Sequence, residues 1–123
     1  MMRKTTIAVL AAATFALIAT VVDAHPRLQT ASPAAGAALK VAPKEIRMNF
    51  SEGLIVQFTG LELKDGNGRQ IQTGTAMLNR NDNTKLVVPV QARLTAGTYN
   101  VAWHAVSVDT HRVSGRYSFK VLR

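Results

Sequence analysis

The chain has 123 residues, no cysteine, and 15 Lys and Arg against 7 Asp and Glu, a net charge of +8. That length suits one domain, and an apolar content of 47% excludes an intrinsically disordered chain despite the basic charge. Without cysteine there can be no disulfide framework, thiolate zinc site, iron–sulfur cluster or cysteine nucleophile. Any metal would have to be held by nitrogen, oxygen or thioether donors.

Residues 1–24 read as a cleaved secretory signal peptide. Arg3 and Lys4 give the positive start, residues 7–22 carry no charge, and Val22 and Ala24 are the small residues that a signal peptidase accepts at −3 and −1. The uncharged run is 16 residues, short of the about 20 that span a bilayer. Cleavage after Ala24 leaves residues 25–123, with 13 basic and 6 acidic residues and a charge of +7. Those cations are scattered from Arg27 to Arg123 with no run of them, and an exported protein has little occasion to meet nucleic acid. No nucleic-acid partner is expected.

The segment after the leader alternates with period two. Residues 44–50 place Ile46, Met48 and Phe50 on one face and charge on the other, the pattern of a half-buried strand. Leu61 and Leu63 alternate in the same way before the turn signal Asp65-Gly66-Asn67-Gly68. Ile71, Ala76 and Leu78 mark further short strands, residues 79–83 read as a polar loop, and Leu86 and Val88 open a strand ending near Pro89. Tyr99, Val101, Trp103 and Ala105 share a face, as do Tyr117, Phe119 and Val121. Residues 32–43, with Pro33, Gly36 and Pro43, look loop-like. No stretch carries a helical period. About seven short strands predict an all-β, Greek-key sandwich or barrel of immunoglobulin-like type, with Trp103, Phe50 and Phe119 in its core.

Three histidines remain after the leader, His25, His104 and His111, and cleavage makes His25 the first residue. A terminal His offers its α-amine and its imidazole to one metal. Pro26 has no N–H for a metal to displace, so the backbone cannot wrap the ion and the other ligands must come from elsewhere in the fold. Asp109-Thr110-His111 is the best source: residues two apart share a face of an extended segment, so the carboxylate and imidazole can point at one ion. Amine, two imidazoles and a carboxylate form a nitrogen-rich set with no soft ligand. The affinity order favours Cu(II), while zinc and nickel fit the same donors. The competing reading makes Asp109 a turn cap and His111 an exposed loop residue. His104 points away from the Trp103 face, and is either a surface residue or an outer-shell group near the Asp109–His111 loop.

In their order, His25-Pro26, Ser32-Pro33, Phe50-Ser51-Glu52, Leu94-Thr95-Ala96-Gly97-Thr98-Tyr99, Trp103 and Ser107-Val108-Asp109-Thr110-His111 resemble the CopC family of small periplasmic copper-binding proteins, over essentially all of residues 25–123. The resemblance implies an immunoglobulin-like Greek-key barrel, a non-enzymatic role in copper homeostasis and resistance, and periplasmic localisation. It implies one Cu(II) ion per mature chain, held by the amine and ring of His25 with Asp109 and His111. It also implies an inner-membrane copper transporter of the CopD kind as partner; the chain itself is expected to be monomeric. Glu52 falls on an acidic position near that site, and is either a second-shell group orienting an imidazole or a solvated carboxylate at a strand end. Some members carry a loop of methionines that binds Cu(I). Here residues 64–83 contain only Met77 and no His, and Met48 reads as core, so no Cu(I) site is expected. Two other classes stay in view. One is an oxidative copper enzyme built on a terminal-His chelate, and the other is a metal-free immunoglobulin-like interaction module.

Overall fold

The computed structural model describes residues 25–123, and the leader read at residues 1–24 lies outside them. Nine strands follow in order: β1 (Leu28–Ser32), β2 (Ala38–Leu39), β3 (Glu45–Phe50), β4 (Gly60–Asp65), β5 (Gln70–Ile71), β6 (Met77–Asn79), β7 (Asp82–Pro89), β8 (Gly97–Val106) and β9 (Arg112–Val121). A single 3-10 turn, Val56–Phe58, precedes β4, and no α-helix occurs among the described residues. β2 and β5 have two residues each, so the seven longer strands match the expected number.

The strands form two sheets, β1-β3-β7-β6 and β2-β9-β8-β4-β5, the order of an immunoglobulin-type sandwich. All pairings are antiparallel except β2, which runs parallel to the end of β9 through Ala38↔Lys120 and Leu39↔Val121. The longest ladder joins β8 to β9 from Gly97↔Val121 to Val106↔Arg112 and is the backbone of the second sheet.

Alternation explains the core. Ile46, Met48 and Phe50 of β3 meet Leu86 and Val88 of β7 on the inner face of the first sheet. Tyr99, Val101, Trp103 and Ala105 of β8, with Phe119 and Val121 of β9, face them from the second. Phe50 and Trp103 pack edge to face with centroids 5.4 Å apart, and Tyr99 stacks on Phe119 at 5.6 Å. Such fully buried aromatic and aliphatic side chains each contribute about 1.5–3 kcal/mol relative to exposure. The Tyr99 hydroxyl donates to the Thr95 carbonyl at 2.7 Å, a tyrosine corner that ties the 90–96 loop to the start of β8. Tyr117 is half-buried with no hydrogen-bond partner for its hydroxyl, and burial pushes its pKa up to about 12.

Two expectations need correction. Residues 79–83 are not an open polar loop: Asn79 pairs with Asp82, Asn81 N donates to Asn79 Oδ1, and β7 already begins at Asp82. The polar side chains face outward or cap the hairpin, which hid three strand residues, Asn79, Asp82 and Asn83. Residues 32–43 are also less loop-like than read, since β2 lies within them and β1 ends at Ser32.

Candidate metal centre

Three segments converge at the end of the sandwich where β1 and β9 begin and β3 and β8 finish. The first is the entry to β1. Pro26 is fully buried, Arg27 N donates to Ser51 Oγ at 2.8 Å, and Ser51 N donates to the Arg27 carbonyl at 2.9 Å. These contacts anchor the backbone that follows His25 to Ser51, just past the end of β3.

The second segment is residues 51–55. Leu54 is buried, its N–H donates to the Asn83 carbonyl, and Leu54 bridges to Ser107. Val108 N donates to the Gly53 carbonyl and Ile55 N to that of Val106, so this loop is stitched to the third segment, the turn 107–111. Gly53 lets the Asn83 amide lie close against this crossing; a Cβ there would stand 2.6 Å from Asn83 Nδ2 and displace that side chain.

The turn is organised by Ser107, which is fully buried. Its N–H donates to the His111 carbonyl at 2.9 Å and its carbonyl accepts from Thr110 N at 2.8 Å. Its hydroxyl donates to Asp109 Oδ1 and accepts from His111 N at 3.2 Å. Thr110 has φ 70°, a left-handed conformation that is costly for a β-branched residue and is held here by the surrounding bonds. Asp109 and His111 therefore meet in the connection between β8 and β9, through a tight turn and not along an extended segment.

The outcome places Asp109 Oδ2 3.1 Å from His111 Nδ1. The angle is not that of a hydrogen bond, so this nearly inaccessible Nδ1 has no hydrogen-bond partner. The His25 ring lies edge-on to the His111 ring, with centroids 5.0 Å apart and planes at 83°. An imidazole nitrogen beside a carboxylate, with a second imidazole edge-on to its ring, offers nitrogen and oxygen donors of the kind a divalent cation takes. The Asp109 carboxyl is held below the usual carboxylate range, first by the Ser107 hydroxyl and then by His111, so it is available as an anion. The Asp109 and His111 side chains are 48% and 40% exposed, which makes the pair an open surface feature. Among the described residues no group of three His, Asp or Glu side chains stands placed to hold a metal ion. The nitrogen of His25, in the full chain, belongs to a peptide bond.

The other candidates lie around this pair. Glu52 is half-buried in the 51–55 loop, at the same end. His104 is exposed on the outer face of β8, where its pairing partner is Gly60, and its ring lies over that glycine. Ser107 was not singled out as a site residue from sequence; its signal was a serine two positions before the Asp at the close of a strand. Met48 is fully buried and Met77 is 52% exposed on the edge strand β6, so the two thioethers belong to different environments.

Comparison with known proteins puts this geometry in a family. Residues 28–122 match the CopC domain. The chain is 41% identical over 112 residues to Protein YobA of Escherichia coli K12, covering 91% of this chain and 90% of that one. It is 36% identical over 110 residues to copper resistance protein C of Pseudomonas syringae pv. tomato, covering 85% and 86%. Among solved structures, PcoC of Escherichia coli, described as a methionine-rich copper resistance protein, superimposes with TM-score 0.71 at 37% identity, covering 80% of this chain and 99% of that one. CopC of Methylosinus trichosporium OB3b superimposes with TM-score 0.74 at 26% identity, covering 80% and 94%. With the sandwich, the matched domain and these relatives in agreement, the chain belongs to the CopC family.

Proposed function

We propose that residues 25–123, released by cleavage after Ala24, form a periplasmic copper carrier that is not an enzyme. It holds one Cu(II) ion between the α-amine and ring of His25, the ring of His111 and the carboxylate of Asp109. The observations that carry this reading are two pairwise contacts on one turn, the His25 ring edge-on to the His111 ring at 5.0 Å and Asp109 Oδ2 3.1 Å from His111 Nδ1. The copper assignment draws on the printed names of the relatives, copper resistance protein C and PcoC, and on the nitrogen-rich donor set, which favours Cu(II).

Each residue then has a stated task. Cleavage converts the His25 nitrogen from an amide into a donor amine. Buried Pro26 confines the chelate to amine and ring, because it offers no N–H for the metal to displace. Asp109 brings a negative charge, and Ser107 holds it in place. Glu52 is assigned to steadying an imidazole from the side, as carboxylates do around metal-bound histidines. His104, over Gly60 on the outer sheet face, is left out of the copper set. The exposed position of Asp109 and His111 suits an ion that is handed on, and an inner-membrane transporter of the CopD kind is the recipient that the family suggests. Imidazole and amine donors must be deprotonated to bind, so affinity falls as the pH drops.

Competition titration with a copper chelator tests the reading. Protein beginning at His25 is compared with protein carrying one extra glycine before it. The extended form is expected to bind Cu(II) weaker by more than about a hundredfold, beyond the 10–100-fold typical of losing an outer-shell partner. Equal affinities would remove the amine from the ligand set.

A further inference from the structure

The two outer faces of the sandwich treat charge differently. On the first sheet the cations are matched: Arg47 contacts Glu45 at 2.6 Å and Lys85 lies 3.9 Å from Asp82. On the second, β4 and β9 present exposed Lys64, Arg112, Arg116 and Lys120, and Glu62 is the one carboxylate among the outward residues of β4, β8 and β9.

At the metal end of that second face is a hollow of about 510 Å³ bordered by Gln57, Phe58, His104, Arg112, Val113 and Ser114. His104 of β8 and its pairing partner Ser114 of β9 form one wall, with Gln57 and Phe58 of the 3-10 turn opposite. No Asp or Glu lines it, and each of its polar side chains, an amide, an imidazole, a guanidinium and a hydroxyl, can donate a hydrogen bond. Phe58 gives it an apolar rim that is 58% exposed. Arg112 directly follows His111, so the hollow starts where the metal turn ends.

The geometry points to this hollow as the docking point of a protein that exchanges copper with the site, one that presents a carboxylate beside an apolar side chain. This rests on the copper reading above and names the chemistry of its partner. A protein fits better than a lipid surface for two reasons. The feature is concave, whereas a headgroup layer is a flat array. A partner seated there also brings its own donors up to the open Asp109–His111 turn, as ion transfer requires. Unmatched cations on the surrounding face would attract such a partner and orient it.

Backbone amide NMR of the protein beginning at His25 tests the inference. The probes are a short peptide of glutamates around a single phenylalanine and, separately, phosphatidylglycerol vesicles. Saturable shifts confined to residues 57–58, 104–106 and 112–114 are expected with the peptide. His104→Ala and Arg112→Gln should each weaken that binding about tenfold, while Cu(II) affinity stays at the wild-type value. Shifts spread equally to Arg47, Lys85 and Arg93, unchanged peptide binding in both variants, or binding of vesicles without the peptide would overturn it. The copper titration fails or succeeds separately: a protein that bound the peptide here but no Cu(II) would refute the carrier reading and not the hollow's preference for carboxylates.

Discussion

The two ends of the sandwich are built differently. At the end that carries the candidate site, the entry to β1, the 51–55 loop and the 107–111 turn are joined by reciprocal hydrogen bonds between Arg27 and Ser51 and by bonds from Leu54, Ile55 and Val108. Fully buried Ser107 sits at their centre. At the far end, the 40–44 and 90–96 loops stand around a cavity of about 980 Å³, Val41 is 79% exposed, and the ties are fewer: Val90 N donates to the Lys44 carbonyl and the Tyr99 hydroxyl to that of Thr95. The contrast teaches where this fold spends its order. Loops that only close the sandwich can be loose, whereas loops that aim donor atoms must be held in place before a ligand arrives.

Substitutions can break or sharpen that contrast. The largest effect is expected for His111→Ala, which should weaken Cu(II) binding more than about a hundredfold, with Asp109→Ala costing about tenfold, since outer or weakly held ligands usually lie at the lower figure. Competition titration measures both. Ser107→Ala should weaken copper binding less than His111→Ala and also cost about 1 kcal/mol of stability in denaturant unfolding, because a buried hydroxyl that both donates and accepts is lost.

Ser107→Ala has a pH signature as well. The folded-state pKa of Asp109 is lowered, chiefly by the Ser107 hydroxyl, so its contribution to stability is present above the ordinary carboxylate range and is lost as pH falls through the lowered value. Without the hydroxyl that loss should move to higher pH, and stability measured against pH without copper would show it.

At the far end the same class of change should spare the metal. Tyr99→Phe should cost about 1 kcal/mol by removing the corner hydrogen bond, and Val41→Ser should stay within about 0.5 kcal/mol, both with copper affinity unchanged. A loss of copper affinity in either would mean that the two ends are not independent.

What could be read from sequence follows from which forces shape each part. β3, β8 and most of β9 were legible because one face is buried and the other wet, which writes a period of two. β1, Leu-Gln-Thr-Ala-Ser, has no such alternation: it is an edge strand held by pairing to β3 and by buried Pro26. β2 is two residues held by a parallel ladder to β9, a long-range contact that no local pattern announces.

At the site, the amine chelate and the Asp109–His111 pair could be proposed from residue chemistry and from resemblance to the family. The turn that brings Asp109 and His111 together could not. Threonine is a poor residue for φ 70°, so Thr110 carries no local signal for this turn, which is held by the bonds converging on Ser107.

The central claim is that the chain's cut end becomes a copper ligand beside Asp109 and His111. Electron paramagnetic resonance of Cu(II) bound to protein with a verified His25 terminus tests it most directly, with nitrogen couplings compared before and after selective ¹⁵N labelling of histidine. The account predicts an axial spectrum with coupling to the His25 amine and to both imidazoles, and loss of one imidazole coupling in His111→Ala. A spectrum that is unchanged by that substitution, or by a residue added ahead of His25, would contradict it.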